Sequence, residues 1–312
     1  MPATQEKSLA GYPRQHTCDS FKSPLGRGGR HGDQGRTGWV IPYHFCNPNA
    51  SADLFQQTQI FMPLDKKQYL HRINYRGGLN PTPETLSALQ EAHLMSVPFE
   101  NLDIHNNVKI DLTNLYDKIV LKNRGGFCYE LNGLFCELLK ELGFSVKMVS
   151  ARVYQGEKGF GVEFDHMALK VSFGNDEYLA DVGFGEFTMR PLKIELNSEA
   201  SDPLGIFRIE KFNDIYKVVK QKDEKGEFFP RYLFSDIERV IVDFNEMCLF
   251  HQTSSESHFT QNKICSLPVK DGRITLSGRK LIATMNGKAE TKELESDDEV
   301  KQVLKTHFNI VL

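Results

Sequence analysis

Two stretches of the chain place apolar residues at helical spacing. The first runs from Pro83 to Met95, with Thr82 in position to cap it, proline at the first helical position, and Leu86, Leu89 and His93 or Leu94 sharing a face. The second runs from Cys128 to Leu142. There Leu131, Leu134, Phe135, Leu138 and Leu142 recur on one side, and Gly143 supplies the stop. Beyond Gly143 the pattern shortens into β-rich runs: Ser145 to Tyr154, His166 to Phe173, Glu177 to Val182, Leu204 to Phe212, Ile215 to Lys220 and Phe228 to Leu233. Gly, Asn and Asp separate them, a spacing that predicts an antiparallel barrel or sandwich. Arg273 to Ile282 reads as a hairpin, and an acidic stretch from Glu290 to Glu299 leads into a helix over Val300 to Phe308. No internal repeat is present.

Residues 1–59 behave differently. Glycines and prolines are scattered among Arg, Ser and His with neither a 3.6 nor a 2.0 apolar period, which reads as a disordered extension. Gly-Arg-Gly-Gly-Arg-His-Gly at 26–32 offers at most a weak anionic contact within a linker. Met62, followed by Pro-Leu-Asp-Lys-Lys, reads as an alternative natural start.

A chain of 312 residues with 40% hydrophobic and 25% charged residues has the balance of a folded globular protein. Its 38 Lys and Arg against 41 Asp and Glu leave a net charge of −3, so no overall basic field recruits nucleic acid. No stretch approaches the roughly 20 apolar residues that span a bilayer, and the first 30 residues lack a signal-type apolar segment, so neither membrane nor secretion is expected and the location reads as cytoplasmic. The six cysteines are too sparse for a disulfide scaffold and form no C-x-x-C pair, which argues against structural zinc. His251 and His258 read as loop residues rather than metal ligands, and Cys136, Cys248 and Cys265 as packing.

Cys128 stands apart. Arg124-Gly125-Gly126-Phe127 reads as a turn that delivers this thiol to the first turn of the 128–142 helix, where the positive end of the dipole favours thiolate. The paired glycines allow a backbone path open to few residues and leave amides free to face an anion near the sulfur. His166 begins a strand and Asp181 ends the next. If these pair through a Gly174-Asn175-Asp176 turn, Val171 lies opposite Glu177 and His166 opposite Asp181 or Val182. A thiol, a base and a carboxylate in that order are the nucleophile, base and orienter of covalent acyl transfer.

Arg124-Gly125-Gly126-Phe127-Cys128-Tyr129-Glu130-Leu131-Asn132, Val97-Pro98-Phe99-Glu100-Asn101-Leu102-Asp103, Asp165-His166-Met167-Ala168-Leu169 and Asp181-Val182-Gly183-Phe184-Gly185 together resemble the arylamine N-acetyltransferase family. The separations, 38 positions from Cys128 to His166 and 15 on to Asp181, match its pattern. Ile264-Cys265-Ser266-Leu267-Pro268 and Gly272-Arg273-Ile274-Thr275-Leu276 extend the likeness, which covers about residues 62–285. The resemblance implies an α+β chain: a helical domain over 60–146, an antiparallel β-barrel over 147–250 and an α/β lid over 251–312, around a cysteine-protease-like core. It further implies acetyl-CoA as co-substrate without a metal, an arylamine or hydrazine as acceptor, Cys128 as nucleophile, His166 as base and Asp181 as orienter. Phe184, with Gly185 beside it, would line the acceptor pocket, and Phe99 and Phe127 would complete an apolar wall that keeps water out. Arg124 and Glu100 are expected to form a buried ion pair holding the loop before Cys128. The 59-residue extension is foreign to the family pattern and the C-terminal part is short.

Two other readings use the same residues. A transglutaminase-like or papain-like hydrolase carries these three side chains in this order, although papain-like proteases separate Cys from His much further. A binding module with a vestigial pocket would leave Cys128 no more reactive than Cys136.

Overall fold

The computed structural model describes residues 64–312, and the extension expected over residues 1–59 and the start expected at Met62 lie outside the described residues. The elements in chain order begin with α1 (Lys66–Arg72), α2 (Pro83–Ser96), β1 (Phe99–Glu100), α3 (Leu102–His105) and α4 (Cys128–Glu141). Strands follow: β2 (Ser145–Val153), β3 (His166–Phe173), β4 (Asp176–Ala180), β5 (Leu192–Lys193), β6 (Glu199–Asp202), β7 (Gly205–Lys211), β8 (Tyr216–Lys222) and β9 (Phe228–Arg239). The chain closes with α5 (Asn245–Thr253), α6 (His258–Gln261), β10 (Ile264–Val269), β11 (Gly272–Ser277), β12 (Lys280–Met285), β13 (Lys288–Glu293) and α7 (Asp297–Phe308). Among the described residues no helix is long and apolar enough to cross a membrane.

The caps read from the sequence hold. Thr82 Oγ1 accepts from the Thr85 amide at 3.2 Å with proline following, and Gly143 takes φ +84° immediately after α4, the left-handed turn that ends a helix. In α7, Ser296 caps the Glu299 amide, and Val300, Leu304 and Phe308, spaced one turn apart, form the buried stripe.

β2 to β9 form an eight-stranded sheet in the order β5-β4-β3-β2-β9-β8-β7-β6, with every neighbouring pair antiparallel; it curls into a nearly closed barrel. Alternate residues of β2 and β3 serve two cores. Val149, Ala151 and Ala168 join Phe207, Tyr232 and Phe234 inside the curl. Met167, Leu169 and Val171 face outward onto α4 and its surroundings. Both faces of these strands are therefore covered, and His166 to Val171 of β3 are all buried. The fold is thus α+β, with helices gathered on one side of an antiparallel sheet.

The smaller sheet runs β1-β10-β11-β12-β13, and β1, from the N-terminal helical stretch, supplies its edge. α7 covers it through Leu304 and Phe308 on Cys265 and Leu276. β13 departs from the expectation of an acidic lead into the last helix. All six of its residues are exposed and it is held by main-chain pairing with β12, so its sequence carries no burial period to read. α5 and α6 also replace the loop expected around His251 and His258.

The β3–β4 hairpin is one residue tighter than expected. Only Gly174, at φ +62°, and Asn175 make the turn, so Phe173 pairs with Asp176 and Val171 with Tyr178 rather than Glu177. The ladder ends at Leu169–Ala180. His166 pairs instead with Ala151 of β2, and it meets Asp181 by another route.

Candidate active site

Cys128 is the first residue of α4, and Phe127 before it is in extended backbone. The Phe127 amide is capped by Glu130 Oε2 at 3.1 Å, a reach-back from the third helical position. Gly126 donates to the Pro98 carbonyl at 3.4 Å. Of the amides expected to stay free near the sulfur, those of Gly126 and Phe127 are therefore used to hold the turn. Its glycines answer to close approach: a Cβ on Gly125 would sit 1.9 Å from the Pro98 carbonyl oxygen.

A charged network pins this turn from outside. Arg124 Nε donates to Glu100 Oε1 at 2.9 Å and Nη2 reaches Asp103 Oδ1 at 2.8 Å. Lys118 Nζ bridges Asp103 and Glu130, each at 2.7 Å. Glu100 in turn caps the Leu102 amide at 2.7 Å. Glu100 and Glu130 are fully buried, so each carboxylate depends on its cation. Burial pushes the Glu130 carboxyl up to about 7, against the pull of Lys118.

The strand side contributes an imidazole paired with a carboxylate. His166 Nε2 lies 2.7 Å from Asp181 Oδ2 with both side chains buried. Because a carboxylate accepts there, Nε2 carries the proton and Nδ1 is the basic nitrogen. Asp181 has no unused lone pair: Oδ2 also accepts from Tyr232 Oη at 3.1 Å, and Oδ1 from Asn132 Nδ2 and the Gly183 amide, both at 2.8 Å. Its own amide donates to Gln90 Oε1 at 3.2 Å. Asn132 sits one turn along α4 from Cys128. Besides Asp181 it donates to the Met167 carbonyl at 2.6 Å and accepts from the Val182 amide at 2.9 Å. Helix, strand and the segment after Asp181 are thereby joined by one amide. Gly183 completes the seat, since a Cβ there would lie 2.7 Å from the Cys128 Cα.

The sulfur itself is enclosed. Burial pushes the Cys128 thiol well up, the Asp181 and Asp165 carboxylates add to this, and a Met167 main-chain hydrogen bond opposes it. The direction is opposite to that expected from the helix N-terminus alone, because enclosure and neighbouring carboxylates outweigh the dipole. Cys128 thus needs a proton acceptor beside it, and the Met167 contact places it next to His166 in the chain.

Phe184 stands edge-on to the His166 ring at 5.2 Å between centroids, and also contacts Tyr232 and Phe187. It lines a narrow, tightly closed cleft with Asp181, Gly185, Phe187, Thr188 and Arg273. Phe127 does not reach this cleft. It is fully buried, edge-on to Tyr129 and Phe259, and so belongs to packing. Phe99 is half-buried and tilted against Phe259, and a Cβ on Gly185 would lie 4.0 Å from its ring.

Asn132 has no role in the reading of its motif, and its position four residues after Cys128 is the signal that points to one. Tyr232 and Gln90 have no such signal, since each is brought in by tertiary folding. His251 and His258, expected in a loop, lie on α5 and α6. His251 is buried, with Nδ1 3.0 Å from Ser257 Oγ and Nε2 3.4 Å from Asp165. Among the described residues no group of three or more His, Cys, Asp or Glu side chains is arranged to hold a metal. Cys136, Cys248 and Cys265 are buried and free.

Known proteins share this framework. A family profile described as N-acetyltransferase matches residues 82–312. The pineal gland isozyme NAT-3 of arylamine N-acetyltransferase from Gallus gallus is 35% identical over 277 residues, spanning 80% of this chain and 95% of that protein. The solved arylamine N-acetyltransferase of Mycobacterium marinum superposes with a TM-score of 0.73 at 33% identity, covering 79% of this chain and 93% of the other. Its complex with CoA gives a TM-score of 0.72 at the same identity and the same coverage. With the match running through the helical turn, the curled sheet and the C-terminal sheet alike, the chain belongs to the arylamine N-acetyltransferase family.

Proposed function

We propose that this protein moves an acetyl group from acetyl-CoA to Cys128 and from there to the nitrogen of an arylamine or hydrazine, acting on such foreign compounds in the cytoplasm. The observation that carries the reading is the 2.7 Å His166–Asp181 contact beside a buried thiol at a helix start, within a family whose Mycobacterium marinum member has been solved with CoA.

The residues suit the chemistry step by step. Cys128 gives its proton to Nδ1 of His166, and Asp181 steadies the imidazolium through Nε2. The thiolate attacks the thioester carbonyl. A new carbon–sulfur bond forms, the bond to coenzyme A breaks, and the departing thiolate takes the proton from His166. One thioester replaces another, so the exchange is close to balanced in energy. The helix N-terminus offers its positive end to the oxyanion formed on the way.

In the second half the neutral amine attacks the acetyl carbon, the carbon–nitrogen bond forms as the carbon–sulfur bond breaks, and the amine proton passes through His166 back to the sulfur. Arylamines are weak bases and arrive unprotonated near pH 7. Water competes for the same carbon, and the Phe184 and Tyr232 rings packed on His166, with Phe187 behind them, form an apolar wall against it. Cysteine hydrolases use the same three groups, and the family match favours transfer.

Intact mass measurement after incubation with acetyl-CoA tests the reading. One acetyl group on Cys128, with coenzyme A released once without amine and continuously with it, is expected. No adduct, accompanied by peptide cleavage, would establish a hydrolase instead.

A further inference from the structure

The segment from Val182 to Thr188 carries the ring that covers His166, yet it has no helix or ladder of its own. Side chains reaching in from elsewhere must set its shape. Two of them are arginines that take consecutive carbonyls. Arg273 Nη2 donates to the Gly185 carbonyl at 3.0 Å, and Arg231 Nη2 donates to the Glu186 carbonyl at 2.8 Å.

They arrive from different sheets. Arg231 lies on β9 of the curled sheet, and its guanidinium also stands 5.3 Å over the Phe184 ring. Arg273 lies on β11 of the smaller sheet and lines the cleft. Its Nη1 donates to Ser266 Oγ at 2.9 Å, and that hydroxyl shares a 2.7 Å bond with Thr275 Oγ1. Ser266 sits opposite Thr275 in the ladder and Arg273 is two residues from Thr275, so all three occupy one face. The guanidinium fork is therefore aimed by its own sheet before it meets the turn. Gly185 adopts φ +92°, a left-handed conformation that leaves its carbonyl pointing away from regular pairing.

From this geometry we infer that Arg273 and Arg231 are positioning residues for the acceptor half of the reaction: by clamping the Gly185 and Glu186 carbonyls from two sheets, they hold Phe184 over the acyl-cysteine so that an amine is admitted and water is not. Both act on this segment through its main chain, at the Gly185 and Glu186 carbonyls. The inference rests on the acetyl-transfer reading above.

Arg273→Met and Arg231→Met, with Arg273→Lys as a milder variant, separate the two halves. Expected is acetylation of Cys128 within about twofold of the parent protein, with the acceptor KM raised about tenfold and the acetyl-enzyme hydrolysed about tenfold faster in the absence of amine. Arg273→Lys should fall between, because one ammonium can serve only part of the fork. Parent-like KM and acetyl-enzyme lifetime in folded variants would overturn the inference. So would a proportional fall of both halves that tracks lost thermal stability, which would mark the arginines as structural only. If a methionine variant does not fold, KM and acetyl-enzyme lifetime are read from the lysine variant, with the same outcomes deciding. A parent protein that forms no acetyl adduct overturns the transfer reading itself, whereas a normal adduct with unaffected variants overturns only the arginine clamp.

Discussion

Asn132 reaches from the helix that carries Cys128 to the carboxylate that orients His166: Nδ2 donates to Asp181 Oδ1 at 2.8 Å, while Oδ1 accepts from the Val182 amide at 2.9 Å. The spacing between sulfur and imidazole is thereby tied to one amide shared by the helix and the segment following β4. Replacing Asn132 by Ala leaves the Met167 carbonyl and one Asp181 lone pair buried without this donor. A loss of about 2–4 kcal/mol is expected from such unpaired groups, together with a fall in Cys128 acetylation of about a hundredfold from misplacement of the base. Urea unfolding and single-turnover mass measurement read the two effects, and an unchanged rate would deny Asn132 its positioning role.

Arg124→Met strands the fully buried Glu100 and leaves Asp103 to Lys118 alone. Removing one partner of such a pair costs about 3–5 kcal/mol where burial is complete, and the partial exposure of Arg124 places the expectation at the lower end. The same substitution loosens the turn before Cys128, so rate should fall with stability. A denaturation midpoint equal to that of the parent would show the network to be dispensable.

Alkylation distinguishes the thiols. Burial pushes Cys136 and Cys248 each up to about 12. Cys128 is also raised by burial, yet it bonds to the main chain of Met167, the residue after His166, and the proposed reaction makes His166 its proton acceptor. Among the four cysteines of the described residues, iodoacetamide near pH 7 should therefore modify Cys128 first, and His166→Ala should abolish the preference. Equal labelling of Cys128 and Cys136 in the parent protein would contradict an activated sulfur.

Stability should fall on mild acidification through His93. This ring is fully buried, 3.0 Å from Tyr69 Oη, and burial with nearby Arg72 holds it down at about 3, below its ordinary value near 6.5. A depressed folded value means the unfolded chain binds the proton more readily. Stability is then complete above about 6.5 and declines toward 3 at about 1.4 kcal/mol per pH unit, so about 2 kcal/mol is lost by pH 5. Unfolding titrations of the parent and of His93→Gln check this. The variant should lose this slope while starting from a lower plateau, and the same slope in both would assign it to other groups.

Much of the site is legible in the sequence because it rests on local signals. Thr82 and Pro83 announce α2, the Gly125–Gly126 turn and the apolar stripe behind Cys128 announce α4, and β-branched runs closed by Gly174 and Asn175 announce the hairpin carrying His166 and Asp181. Counting along that hairpin brings His166 to Asp181, the right pair, through the wrong register. It gives three residues to a turn that needs two, and the contact forms past the end of the ladder, where backbone pairing no longer dictates position. Phe127 is drawn toward the cleft by its neighbour in sequence, whereas its side chain turns into the core against Phe259, which is 132 positions away.

By itself the sequence determined which residues can cap, turn, bury and react, since those properties belong to single side chains and their nearest neighbours along the chain. Only the tertiary structure decided that Asn132, Tyr232 and Gln90 would converge on Asp181, that Arg231 and Arg273 would grip adjacent carbonyls from separate sheets, and that enclosure would raise the thiol a helix end alone would lower. These outcomes depend on distances between chain segments far apart in sequence and on how completely water is removed, and neither quantity is written in any local pattern.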